Sequence, residues 1–289
     1  MSVCITLIQN SKCSDSYKFP VKIWDDRYKS SGLLTQFSYQ DILSIDPNEL
    51  SIPRLDSRYT PIVIKILQHK DIRLKCIEGE LNMTFHKKYF TSDSTYPLIL
   101  KGAGVQRYFY TLNMSQGEVE YLDESSYLLD CGNSEKSQHH NLERIAMQGM
   151  TGANDKIRLV MSIVPKGIYL ANSCNYILPT DGISLKALLA ILNSKAINWF
   201  FRCFSTNSNV NGYEVDNFPI PIVDTHIQSK LSILTDKISN YRKNGDILTA
   251  LEFENEIDYI VFHLYNLTYD EVLVIDPETP ITREEYNDF

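Results

Sequence analysis

Residues 185–223 read LKALLAILNSKAINWFFRCFSTNSNVNGYEVDNFPIPIV, and how this stretch divides decides the fold. Leu185, Leu188, Leu189, Leu192, Ala196, Trp199, Phe200 and Cys203 recur in steps of three, one and four. That spacing puts them on one face of an amphipathic helix, with Ser184 as its N-cap. Ser205 to Asn211 is a polar loop. Beyond it, Phe218-Pro219-Ile220-Pro221-Ile222 must run extended, because two prolines forbid a helix and favour a polyproline-like strand.

Upstream of this stretch the pattern is β. Ser2 to Ile8 (SVCITLI) is a β-branched run suited to a buried strand, and Phe19 to Trp24 alternates like a second one. Residues 31–74 read as a linker with short helices near Ser38–Leu43 and Pro61–His69, the latter with Pro in its first turn. From Lys75 onward strands are expected around 78–84 and 96–108, then at Glu143–Met150, Lys156–Val164 and Ile168–Ile177, with a Pro165-Lys166-Gly167 turn. Arg144, Gln148, Lys156 and Arg158 stand at alternating positions, so one strand face can present them together. Arginine can clasp guanine O6 and N7, and glutamine or asparagine can pair with adenine. The same residue types also solubilise an ordinary strand face. Gly102-Ala103-Gly104 lacks the later Gly, Lys and Ser/Thr of a phosphate loop, and His139-His140 reads as solvated loop rather than a metal site.

Downstream, Thr225 to Gln228 has capping-box spacing. Ile227, Leu231, Leu234, Ile238 and Tyr241 form a heptad seam that Gly245 terminates. A third helix covers Ile247 to Tyr265, and Thr268 with Glu271 forms another capping box. Glu256 and Asp258, two residues apart, lie on different sides of that helix and do not read as a catalytic pair. The formal net charge of −8 is unevenly spread. Residues 251–289 hold 11 acids and one base, so the remaining 250 residues are net +2 and compatible with DNA binding. The six cysteines show no C-x-x-C spacing and are expected as reduced thiols in a cytoplasmic protein. Met1 to Gln9 lacks a basic n-region, and no apolar run is long enough to span a membrane.

The order of several short patterns carries a resemblance. They are Gly79-Glu80-Leu81-Asn82; Pro97-Leu98-Ile99-Leu100-Lys101-Gly102 with Arg107-Tyr108; and Arg144-Ile145-x-x-Gln148 with Lys156-x-Arg158-Leu159. Asn172-Ser173-x-Asn175-Tyr176, Leu192-Asn193-Ser194-Lys195, the Asn/Ser/Gly loop with Tyr213, Pro219-Ile220-Pro221, and Glu256-Ile257-Asp258 leading to Leu264-Tyr265-x-Leu267-Thr268 follow. Together they resemble the C-terminal target-recognition domains of TaqI-like N6-adenine DNA methyltransferases and related type II restriction–modification enzymes.

The resemblance implies an α+β fold, a β-rich DNA target-recognition lobe with a helical C-terminal lobe. Residues 1–30 would be remnant strands of a methyltransferase-type sheet, 31–74 a linker, 75–223 the target-recognition domain and 224–289 a helical region with an acidic tail. The expected DNA-contacting residues are Lys101, Gly102, Arg107, Tyr108, Arg144, Gln148, Lys156, Arg158, Asn172, Ser173, Asn207, Asn209, Asn211 and Tyr213. The family glycine is expected to let the backbone approach nucleic acid. The sequence has no Asn-Pro-Pro-aromatic motif, no Phe-x-Gly-x-Gly loop and no defensible nuclease motif. No cofactor is therefore expected in this chain. S-adenosylmethionine belongs to a partner methyltransferase domain or subunit, and double-stranded DNA is the shared target. The alternatives are the C-terminal half of a split adenine methyltransferase, or a degenerate remnant that binds nothing.

Overall fold

The structure is a computed structural model that describes residue 6, residues 12, 14 and 16–24, and residues 32–288 except 115, 116, 133, 154 and 206. The strand expected over Ser2–Ile8 lies, Thr6 apart, outside these residues. Strands β1 (Lys18–Ile23) and β2 (Leu33–Ser38) form an antiparallel hairpin, with Phe19 opposite Phe37 and Ile23 opposite Leu33. Ser38 then caps helix α1 (Tyr39–Ile45) with a reciprocal Asp41 bond, and α2 (Thr60–Leu67) starts with Pro61 in its first turn. Short helices were expected near both places; α1 starts from its cap and α2 from the proline in its first turn.

The central region is built from short strands: β3 (Cys76–Glu78), β4 (Phe90–Thr91), β5 (Leu98–Leu100), β6 (Val105–Gln106), β7 (Phe109–Tyr110) and β8 (Glu120–Leu122). Helix α3 (Glu124–Cys131) follows, then β9 (Arg144–Gln148), β10 (Met161–Val164), β11 (Tyr169–Leu170) and β12 (Cys174–Ile177). One four-stranded sheet runs β10-β9-β12-β3 and another β11-β5-β8-β4, with β6-β7 as a separate hairpin. The expected long strand Lys156–Val164 is strand only from Met161. Its first half is held as irregular chain by Asn198, whose Oδ1 accepts from the amides of Arg158 and Leu159 and whose Nδ2 donates to the Lys156 carbonyl. The expected strand Ile168–Ile177 is split by a turn at 171–173. β9 does not alternate between core and water: Arg144 to Met147 are all buried, since the strand is central in its sheet.

The opening stretch forms two helices, not one. α4 (Leu185–Leu192) begins at Ser184 as expected, and α5 (Lys195–Phe204) restarts at Ser194, whose hydroxyl accepts from the Ile197 amide. Asn193 is buried and donates to the Met161 carbonyl at 3.0 Å, which ties the break to β10. Periodicity survives the break, so a pattern of apolar positions alone does not reveal it. Pro219 to Ile222 runs extended, and Ile220 bridges Ile72. A short helix α6 (Gly212–Asp216) precedes it. α7 (Thr225–Lys243) is capped by Asp224, whose carboxylate accepts from His226 and Ile227, rather than by Thr225. α7 packs along both α8 (Ile247–Leu264) and α4 and buries Leu231, Leu234 and Ile238, and Gly245, at φ +80°, makes the reversal between α7 and α8. The capping box Thr268–Glu271 opens α9 (Tyr269–Ile275), and α10 (Arg283–Asn287) ends the described chain. The fold is therefore α+β with a helical C-terminal region. One core joins Leu55 and Ile66 near the N-terminus, Met161 and Leu188 in the middle, and Ile260 and Tyr286 near the end.

Candidate nucleic-acid interface

The two helix motifs of the C-terminal half meet in space. Lys195, first residue of α5, donates its amide to Asp258 Oδ1 at 2.7 Å, and its ammonium reaches Asp276 Oδ2 at 2.7 Å and Asn255 Oδ1 at 3.1 Å. Burial pushes the Asp258 carboxyl up to about 6, with Lys195 drawing it back. Beside it, Glu254 accepts from Arg107 Nη2 at 2.6 Å and from Arg242 Nε at 2.6 Å. Arg107 sits in the tight turn between β6 and β7. Its neighbour Tyr108 is buried at φ +68° and donates its amide to the Met161 carbonyl. This pair joins the β hairpin to α7 and α8. The expected DNA contacts from Arg107 and Tyr108 are thus corrected: both side chains lie inside the fold.

Arg144 receives the same correction. It is fully buried against Glu80, which is equally buried, at 2.6 Å. Nη1 donates to the carbonyls of His139 and Leu142 and Nη2 also to that of Ile168, Nε is left without a partner, and Glu80 accepts the Leu170 amide at 2.8 Å. Burial raises the Glu80 carboxyl above its ordinary value, opposed by Arg144, and lowers the Arg144 guanidinium. His139 and His140 close this interior. His139 Nδ1 bonds the Tyr176 hydroxyl at 2.7 Å, and His140 stacks on Tyr169 at 4.2 Å between centroids. The two histidines are buried and held below their usual pKa by that burial, not solvated. Among the described residues no cluster of His, Cys, Asp and Glu could hold a metal.

The glycines have a structural task that differs from the expected one. A Cβ added at Gly79 would lie 2.0 Å from the Ala171 carbonyl oxygen. At Gly102 it would lie 2.5 Å, and at Gly149 2.9 Å, from that of Ser173. The three glycines let three segments crowd the turn at 171–173. Gly102 donates to Ser173 Oγ, and Asn172 Oδ1 accepts from the Met83 amide. Gly102, Asn172 and Ser173 therefore meet one another, and the close approach is to the chain itself, not to nucleic acid. Lys101 is likewise engaged, with Glu120 at 2.7 Å and the Glu118 carbonyl at 2.7 Å, and Gln148 donates to the Val105 carbonyl.

What remains outward is a face made of two loops. Residues 149–157 and 205–213 lie side by side: Met150 pairs with Asn209, Thr151 donates its amide to the Ser208 carbonyl at 2.8 Å, and Val210 donates to the Gly149 carbonyl at 3.0 Å. Asn175, on β12, holds the second loop by donating to the Val210 carbonyl. Asn207, Asn209, Met150 and Tyr213 are exposed on this face, Tyr213 at 67%. Asn211 caps α6 and gives its amide nitrogen to Glu214 at 2.8 Å. Lys156, at the far end of the first loop, is almost fully exposed and reaches Glu278 only at 3.7 Å. Arg158 is the exception among the expected readers here. It is 1% exposed and points inward, beneath the loops, so it cannot reach a base edge. The sequence singles out Asn207, Asn209 and Tyr213, which are exposed here, but not Met150, Thr151 or Asn198. Asn198 stands apart from the apolar stripe of α5, and its partners 40 residues away leave no local trace.

Residues 97–220 match the family model of the TaqI-like C-terminal specificity domain. No curated protein matches. Among matching solved structures is a type IIL restriction–modification enzyme, MmeI, in complex with DNA, at 10% identity and a TM-score of 0.49; 75% of this chain is covered. This chain spans about 36% of that enzyme's length. Every residue singled out from Lys101 to Tyr213, the two exposed loops included, falls inside the segment that matches the TaqI-like C-terminal specificity domain model.

Proposed function

We propose that this chain is the sequence-specific DNA recognition module of a restriction–modification adenine DNA methyltransferase. The observation that carries the reading is the two-loop face inside residues 97–220, whose exposed amides and aromatic ring rest on loops tied together by backbone hydrogen bonds. Asn207 and Asn209 supply donor–acceptor amides suited to adenine edges, Met150 and Tyr213 supply apolar surface for a thymine methyl, and Lys156 supplies a phosphate contact. The near-neutral body, net +2 outside the acidic tail, suits a module that discriminates bases while a catalytic partner makes most phosphate contacts. Base reading by this chain would set where the partner flips an adenine into its own site. S-adenosylmethionine and methyl transfer belong to that partner. The test is selection of duplexes from a random-sequence pool by the full chain, with methylome sequencing of the host with and without its gene. A recovered motif that matches the methylated site supports the reading. No selected motif and an unchanged methylome overturn it.

A further inference from the structure

We infer that Arg158 is the positioning residue that makes loops 149–157 and 205–213 a single reading element; this rests on the DNA-recognition reading above. Its guanidinium spends its donors on both loops. Nε donates to Thr151 Oγ1 at 2.9 Å and Nη1 to the Ala153 carbonyl at 3.4 Å, both in the first loop. Nη2 donates to the carbonyls of Asn207 at 2.8 Å and Asn209 at 3.4 Å, both in the second. The plane lies 5.1 Å above the Phe201 ring of α5, and the Arg158 amide is fixed by Asn198 of the same helix. One planar fork anchored on α5 thus sets the distance between two backbones that carry Met150, Asn207 and Asn209. No described carboxylate hydrogen-bonds to it: one hydroxyl and three carbonyls take its donors, and Glu214 and Asp155 act on its charge only from a distance. A lysine could keep that charge but could not span four acceptors in one plane.

The two properties separate experimentally. Arg158→Lys should retain binding to random-sequence duplexes and its salt dependence. It should lose about tenfold or more of the preference for the selected motif over single-base variants. In hydrogen exchange, the amides of Thr151 and Val210 should lose protection together while those of β9 and β12 keep theirs. Thr151→Val, which removes one acceptor and retains shape, gives a smaller loss of the same kind and serves if the lysine variant fails to fold. Preference kept in both variants overturns the inference, as does loss of protection confined to one loop. A wild-type chain that selects no motif overturns the recognition reading itself, and is distinguished by needing no variant.

Discussion

The buried pair Glu80–Arg144 gives the sharpest test of the fold. Glu80→Gln keeps shape and volume and removes only the charge. The glutamine can still accept the Leu170 amide, but Arg144 then faces three carbonyls with no anion, and its Nε is already buried without a partner. A surface pair would lose about 0–1 kcal/mol. With both side chains at zero exposure, the loss of one partner leaves an uncompensated buried charge, which costs roughly 3–5 kcal/mol. At about 2–4 °C per kcal/mol this lowers Tm on the order of 10 °C. Replacing both residues, Glu80→Leu with Arg144→Met, should cost less than the two single changes together, because no orphan charge remains. Urea unfolding followed by circular dichroism on the four proteins of this cycle and on Glu80→Gln measures both quantities. A loss below about 1 kcal/mol for Glu80→Gln would refute the reasoning, because it would mean that Glu80 is already neutral beside Arg144.

Asp258 should leave a pH signature. Its folded carboxyl is raised to about 6 from 3.8, so the folded state holds this proton more tightly, and its contribution is full below about pH 4 and lost as pH rises towards 6. Asp258→Asn should flatten that fall by up to about 3 kcal/mol in urea midpoints measured across the window. An unaltered pH profile would contradict it. Gly102→Ala drives a methyl to 2.5 Å from the Ser173 carbonyl and should destabilise the chain by about 1–3 kcal/mol, read in the same assay. Asn209→Ala or Tyr213→Ala should leave stability within about 0.5 kcal/mol. On the selected duplex, either change should cost about 1–3 kcal/mol and relax preference at one position. Lys156→Ala should weaken all duplexes alike and reduce the salt slope by roughly one.

Much of the secondary structure was legible because caps and breakers act locally. Thr268 with Glu271 and Gly245 each work within four residues, so their spacing alone predicts them. The seam of α7 was equally plain, since Leu231, Leu234 and Ile238 repeat with the helix. The restart at Ser194 was not, because Asn193 and Ser194 interrupt the helix without interrupting its apolar stripe. Their reason is a carbonyl on β10 and a cap. The face that meets solvent was legible where residues are small and polar in a loop, as at Asn207 and Asn209.

The composition and motif order by themselves determined the α+β class, the helical C-terminal region and the likeness to specificity domains. Tertiary structure alone decided which polar residues face solvent. Arginine at an alternating position looks the same in sequence whether it faces water or a buried carboxylate. Arg107, Arg144 and Arg158 are spent on Glu254, on Glu80 and on the backbones of two loops, partners between 5 and 147 residues away. The interior can hold these cations only where anions or several carbonyls converge on them, and that convergence exists only once the chain has folded.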